Sequence, residues 1–232
     1  MHEQVLHLLF PNVCLICQKL LLPDERYCCG GCMVDFDPFT TPAESEEELR
    51  RTILAHFGLH FPFEHGWCRY LFHKKSPLQQ VLHSMKYEGL FHLGTTLGQQ
   101  LGNWMVESGS FDAIDCIVPI PLHRLKKIER SYNQSEKIAE GLGQSLKKPV
   151  RSKLLVRKRF TVSQTGLSAR EREKNSAGAF LATTGVSGLH VLLVDDVITT
   201  GATMAAAAEA LREAGAATVS LAAIALAAKE EL

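Results

Sequence analysis

Residues 191–204 read VLLVDDVITTGATM, an order of residue types that chemistry can use. An apolar run ends at Val194, Asp195 and Asp196 follow, and Thr199, Thr200, Gly201, Ala202 and Thr203 form a small-residue turn before an alanine-rich helix. In a parallel sheet, ligands bind at the carboxyl ends of strands, where these aspartates fall. Backbone N–H groups of the turn can converge on an anion, and the helix dipole directs its positive end to the same spot. Threonine hydroxyls add donors, and Gly201 permits close backbone approach. The carboxylates would repel a phosphate but accept hydrogen bonds from neighbouring hydroxyls. A phosphate flanked by hydroxyls describes a ribose 5-phosphate. A Walker loop is excluded, since no Gly-Lys-Ser/Thr follows. A plain acidic strand-to-helix turn would explain the aspartates but leave the threonines and the glycine without a task.

The second chemical cluster is Cys14-x2-Cys17, eleven intervening residues, then Cys29-x2-Cys32. Two knuckles at this spacing describe a zinc ribbon, in which four thiolates close a structural Zn²⁺ site and leave no position open for catalysis. Pro11 and Gly30-Gly31 stand where knuckle turns need them. Cys28 competes with Cys29 for the third ligand position, and Cys29 is preferred because it restores the x2 spacing. So short a segment cannot bury an adequate core, so the metal would supply much of its folding free energy. His56, His60, His65 and Cys68 suggest another site, but Pro62 interrupts the helix that would align them.

The rest of the chain must position these groups. With 46% hydrophobic and 22% charged residues in 232, the composition is that of an ordinary globular protein, and its length suits one medium domain with a small appendage. A formal net charge of zero provides no global field for nucleic acid, so any polyanion site is local. No run reaches the roughly 18 apolar residues of a membrane span, and no signal peptide opens the chain. The odd count of seven cysteines then argues for reduced thiols and a cytoplasmic setting.

Residues 1–40 form the cysteine module, 41–74 a linker and hood strands, and 75–232 the main domain. Within the main domain, Leu78, Val81, Leu82 and Met85 recur at helical spacing, as do Leu93, Leu97, Leu101 and Met105. AIDCIVPIP, LHVLLVDD and TVSLAAIAL are short apolar runs alternating with helical segments, which predicts an α/β fold with a parallel sheet.

Four segments, SPLQQVLHSMKYEG, IVPIPLHRLKKIERSYNQSEKIAEGL, SQTGLSAREREKNSAGAF and the aspartate loop, resemble in order and spacing the ComF/GntX family. That family has a type I phosphoribosyltransferase fold with an N-terminal zinc ribbon, and the resemblance covers nearly the whole chain. It implies that the loop binds 5-phosphoribosyl-1-pyrophosphate (PRPP) with Mg²⁺, and that Asp195 and Asp196 serve catalysis by stabilising an oxocarbenium-like centre. Pyrophosphate needs a second cationic site, and the basic stretch around His123, Arg124, Lys126 and Lys127 leads into Arg130, Asn133 and Gln134, which match the family's R-G-[FY]-N-Q. Ser131 departs from that pattern, standing where glycine is usual. Lys86 is a candidate phosphate contact, with a snorkelling helix lysine as the alternative. Gln164, Arg170, Arg172 and Asn175 fall in a polar stretch expected to close over PRPP and exclude water. The acceptor is an unidentified nitrogenous nucleophile. The competing reading is a non-catalytic PRPP-binding accessory protein of DNA uptake that engages single-stranded DNA or competence proteins.

Overall fold

The computed structural model describes residues 12–57, 61, 63–87, 89–107, 109–122, 130–157 and 178–229. His123, Arg124, Lys126, Lys127, Gln164, Arg170, Arg172 and Asn175 lie outside them, as does the expected lid at 164–175. Among the described residues, no helix is long and apolar enough to cross a membrane.

The core is a four-stranded parallel sheet. It contains β1 (Gly66–Phe72), β2 (Cys116–Pro119), β5 (His190–Ile198) and β6 (Thr218–Ala227) in the order β1-β6-β5-β2. The strands are near-continuous apolar runs because both faces of such a sheet are covered. Val191–Val194 and Val219–Ala227 are all buried. Alanine has little intrinsic strand preference, yet β6 contains Ala222, Ala223 and Ala225, each paired to a neighbour on both sides. Tertiary pairing overrides propensity there. A separate two-stranded antiparallel ribbon joins β3 (Leu155–Arg157) to β4 (Phe180–Ala182).

Residues 41–74 differ from the expected linker with hood strands. Pro42–Phe57 is a 16-residue helix (α2), which follows the short α1 (Gly30–Val34). It opens on a reciprocal cap, with the Thr41 hydroxyl accepting from Glu44 N at 3.2 Å and the Glu44 carboxylate accepting from Thr40 N at 2.9 Å. Pro42 fits the first helical position because it has no N–H to satisfy. The acidic run forms the solvated face, while Ser45, Leu49, Thr52 and Ile53 are buried. The following strand is β1, the edge of the central sheet, so a domain boundary at residue 75 would cut the sheet. The physical reason is that β6 has a free edge that only Gly66–Phe72 covers among the described strands.

Three further helices carry or brace the site: α3 (Pro77–Tyr87), α4 (Phe91–Val106) and α5 (Gln134–Leu146). The α4 and α5 backbones lie against each other. A Cβ at Gly98 would stand 2.1 Å from Ile138 O, and one at Gly141 2.0 Å from Thr95 O. Only hydrogen fits at these two crossings. The last helix, α6 (Ala202–Glu213), follows β5 and its turn.

Candidate functional site

Strand β5 continues through the aspartates to Ile198 rather than ending at Val194, because Val197 and Ile198 still pair with Ala225 and Leu226. Pro119 of β2 pairs with Val194, and Ile120 N donates to Val194 O at 2.8 Å. The segment leaving β2 therefore lies beside Asp195 and Asp196, at the carboxyl end of the sheet.

The two carboxylates differ in surroundings. Asp195 Oδ1 accepts from Ser135 Oγ at 2.8 Å and from Asp196 N at 2.9 Å. Burial, reinforced by the adjacent Asp196 charge, pushes Asp195 up to about 7, with the Ser135 bond opposing. Burial acts on Asp196 too, but the Lys86 ammonium 2.6 Å from its Oδ2 prevails and holds it below the usual carboxylate range. Opposed environments for neighbouring acids mark sites of acid–base or electrostatic work. Lys86, expected to contact phosphate, is thus ion-paired to Asp196 in this structure.

The turn that follows is built for close approach. Gly201 has φ 85°, in the left-handed region, and a Cβ there would stand 2.2 Å from Ile53 Cδ1 of α2. Glycine is required both by conformation and by the packed helix. Thr200 is buried, and its hydroxyl accepts from Ala202 N at 3.4 Å, so it shapes the turn, while Thr199 is exposed. Residues 197–204 and Asp195 line a small concave pocket at the head of α6.

The Arg130–Gln134 stretch braces the opposite side. Asn133 caps α5 by accepting from Ser135 N at 3.2 Å and donates its amide to Ile120 O at 2.9 Å. Gln134, buried, accepts from Arg130 at 3.2 Å. The Arg130 guanidinium reaches the Tyr87 hydroxyl at 3.2 Å and lies 5.3 Å from that ring's centre. Ser131 has φ 64°, the left-handed conformation that glycine adopts more easily, at a cost of about 1 kcal/mol for an L-residue. The structure thus brings together Asp195, Asp196, Lys86 and the 199–203 turn, with Arg130, Asn133 and Gln134 alongside. Ser135 and Ile53 were not among the expected site residues. Their partners lie 60 or more residues away in sequence, and no local signal points to them.

The cysteine group is compact. The Sγ atoms of Cys14, Cys17, Cys29 and Cys32 all lie within 4.8 Å of one another, with Cys17 and Cys29 at 3.7 Å. Four sulfurs bound at 2.3 Å to one tetrahedral ion stand about 3.8 Å apart, so this set fits a metal such as zinc. Burial pushes the Cys14 thiol up, but backbone N–H bonds from Cys17, Cys29 and Ile16 prevail and bring it to about 6. Cys28 stands outside the group, and burial followed by the neighbouring sulfur charges pushes its thiol up to about 12. The module docks on α3, where Gln80 Nε2 donates to Leu15 O at 2.8 Å.

A phosphoribosyl transferase domain model matches residues 124–232. Competence protein F of Haemophilus influenzae is 27% identical over 210 residues, which cover 87% of this chain and 91% of that protein. The chain is ComF-like, with a type I phosphoribosyltransferase fold. DNA utilization protein YhgH of Salmonella typhimurium is 35% identical over 146 residues, 62% of this chain and 64% of that protein. Among solved structures, this chain is similar to the Bacillus subtilis glutamine PRPP amidotransferase complexed with ADP and GMP. The TM-score is 0.38 at 24% identity, covering 60% of this chain and 26% of that one.

Proposed function

We propose that this protein binds PRPP with Mg²⁺ and transfers its phosphoribosyl group to a nitrogenous acceptor, releasing pyrophosphate. The observation that carries this reading is the unequal Asp195–Asp196 pair set directly before the glycine turn that heads α6. The turn offers N–H groups and the Thr199 hydroxyl to the 5-phosphate. Asp195 and Asp196 accept the ribose hydroxyls and face the positive charge that develops at C1. The C1–oxygen bond breaks with its electron pair leaving on pyrophosphate, the acceptor nitrogen donates a lone pair to C1, and its surplus proton is lost. Arg130 supplies positive charge on the side where the family places pyrophosphate, and Asn133 and Gln134 hold that stretch in place. The oxygen-rich rim suits a hard cation carried by the substrate's own oxygens, and Mg²⁺ there would neutralise charge on the departing pyrophosphate. At the other end of α3, Cys14, Cys17, Cys29 and Cys32 would hold Zn²⁺ as a structural ion.

The names of the relatives favour a second reading, a competence or DNA-utilization role in which PRPP binding serves regulation rather than catalysis. Both readings predict that PRPP with Mg²⁺ raises the melting temperature and that Asp195→Asn combined with Asp196→Asn abolishes the rise. An unchanged rise in the double variant would remove the ribose role. Pyrophosphate release across a panel of bases and amines separates the two readings. Release with one acceptor supports transfer, and binding without release supports the accessory role.

A further inference from the structure

We propose that Ser135 is a positioning residue for Asp195: its hydroxyl fixes the orientation of that carboxylate and keeps it the ionised acceptor for the ribose hydroxyls. The inference rests on the PRPP reading for its consequence, but the contact itself stands on geometry. Ser135 is 3% exposed, and its Oγ lies 2.8 Å from Asp195 Oδ1. The residue is held from both directions. Its N–H is taken by Asn133 Oδ1, Asn133 is tied to Ile120 O, and Gln134 beside it holds Arg130. Asn133, Gln134 and Ser135 thus form one brace that connects the segment after β2 to the carboxylates of β5.

Two donors, the Ser135 hydroxyl and Asp196 N–H, converge on the same oxygen. With Oδ1 engaged by both, a proton added to Asp195 is directed to Oδ2, the oxygen left for a ligand hydroxyl. Other charges face the pair from every side: Asp196 on the same strand, Lys86 from α3, Arg130 ahead of α5, and Arg157 from β3. Asp196 disfavours ionisation of Asp195, Lys86 and Arg157 favour it, and Arg130 acts on Asp196. Burial and Asp196 still place Asp195 at about 7, so near neutrality a small change in its hydrogen bonding alters its charge. Ser135 is the one neutral side chain that donates to it among the described residues.

The test uses the full chain labelled with ¹³C at the aspartate side-chain carboxyls, with the Asp195 signal assigned by its loss in Asp195→Asn. In Ser135→Ala its titration midpoint should rise by about one pH unit, since a hydrogen bond to the charged form is lost. Ser135→Thr keeps the hydroxyl and should leave the midpoint within a few tenths of wild type. Calorimetry should then show PRPP with Mg²⁺ binding about fivefold more weakly to Ser135→Ala at pH 7, as the ionised fraction falls from about half to about a tenth, with the loss recovered near pH 9. An unmoved midpoint overturns the proposal, and so does a binding defect of equal size at every pH, which would mean a merely structural role. If wild type binds no PRPP at any pH, the PRPP reading fails while the carboxyl titration still decides the role of Ser135. Should Ser135→Ala not fold, Ser135→Cys takes its place. Its weaker donor should give an intermediate upward midpoint, and an unmoved one overturns the proposal equally.

Discussion

Asp195→Asn should make the ligand-free protein more stable while depriving it of PRPP. Asp195 is held at about 7 by burial and by Asp196, against an ordinary value of 3.8. Between those values the folded state holds a proton that the unfolded chain has released, so stability contributed by this group falls as pH rises. The group costs nothing below its unfolded value, and its full cost is reached above about pH 7. A shift of about three units corresponds to a ceiling of about 4 kcal/mol at 1.36 kcal/mol per unit. The site is half-buried, and Lys86 and Ser135 remain after the substitution, so about 1–2 kcal/mol is expected, or roughly 2–6 °C in melting temperature. Thermal melts of wild type and Asp195→Asn near pH 5, 7 and 9 should show the variant's advantage at its smallest at the acid end, roughly a third of its full value, and growing as pH rises. Adding PRPP and Mg²⁺ at pH 7 should raise wild type and leave the variant unmoved. A variant that melts at or below wild type near pH 9, or whose advantage is as large near pH 5, would refute the argument that Asp195 is ionised at the expense of folding.

Gly201→Ala should cost about 2–3 kcal/mol in urea unfolding, because a side chain must both adopt φ 85° and displace Ile53. Combining it with Ile53→Ala should cost less than the sum of the single changes, and strict additivity would show that the contact is not the cause. Metal analysis of the purified chain under reducing conditions should find one equivalent of zinc, lost in Cys29→Ser and retained in Cys28→Ser. Retention in both variants would mean that Cys29 is not a ligand.

The pattern of residue types was enough to locate the glycine turn after the aspartates, the cysteine knuckles and the three runs that became β2, β5 and β6. Each is a local device: an apolar run, a glycine at a left-handed position, or a pair of thiols at fixed spacing reports its own structure. The helix at Pro42–Phe57 was also legible, because Thr41-Pro-x-Glu44 is a capping signal, but the run of four glutamates around Ser45 read as linker. Its buried stripe has meaning only against the sheet it covers.

Contacts far apart in the chain required the tertiary structure. Whether Gly66–Phe72 is a hood strand or the edge of the central sheet depends on which edge of β6 is left unpaired, and a mostly apolar heptapeptide cannot report that. Lys86 reads equally well as a phosphate ligand or as a surface lysine, and it becomes the counter-ion of Asp196 only because α3 ends beside β5. Sequence also makes Asp195 and Asp196 near equals, two adjacent carboxylates on one strand. Folding makes them unequal, because successive residues of a strand face opposite sides and so meet different neighbours, Ser135 for one and Lys86 for the other.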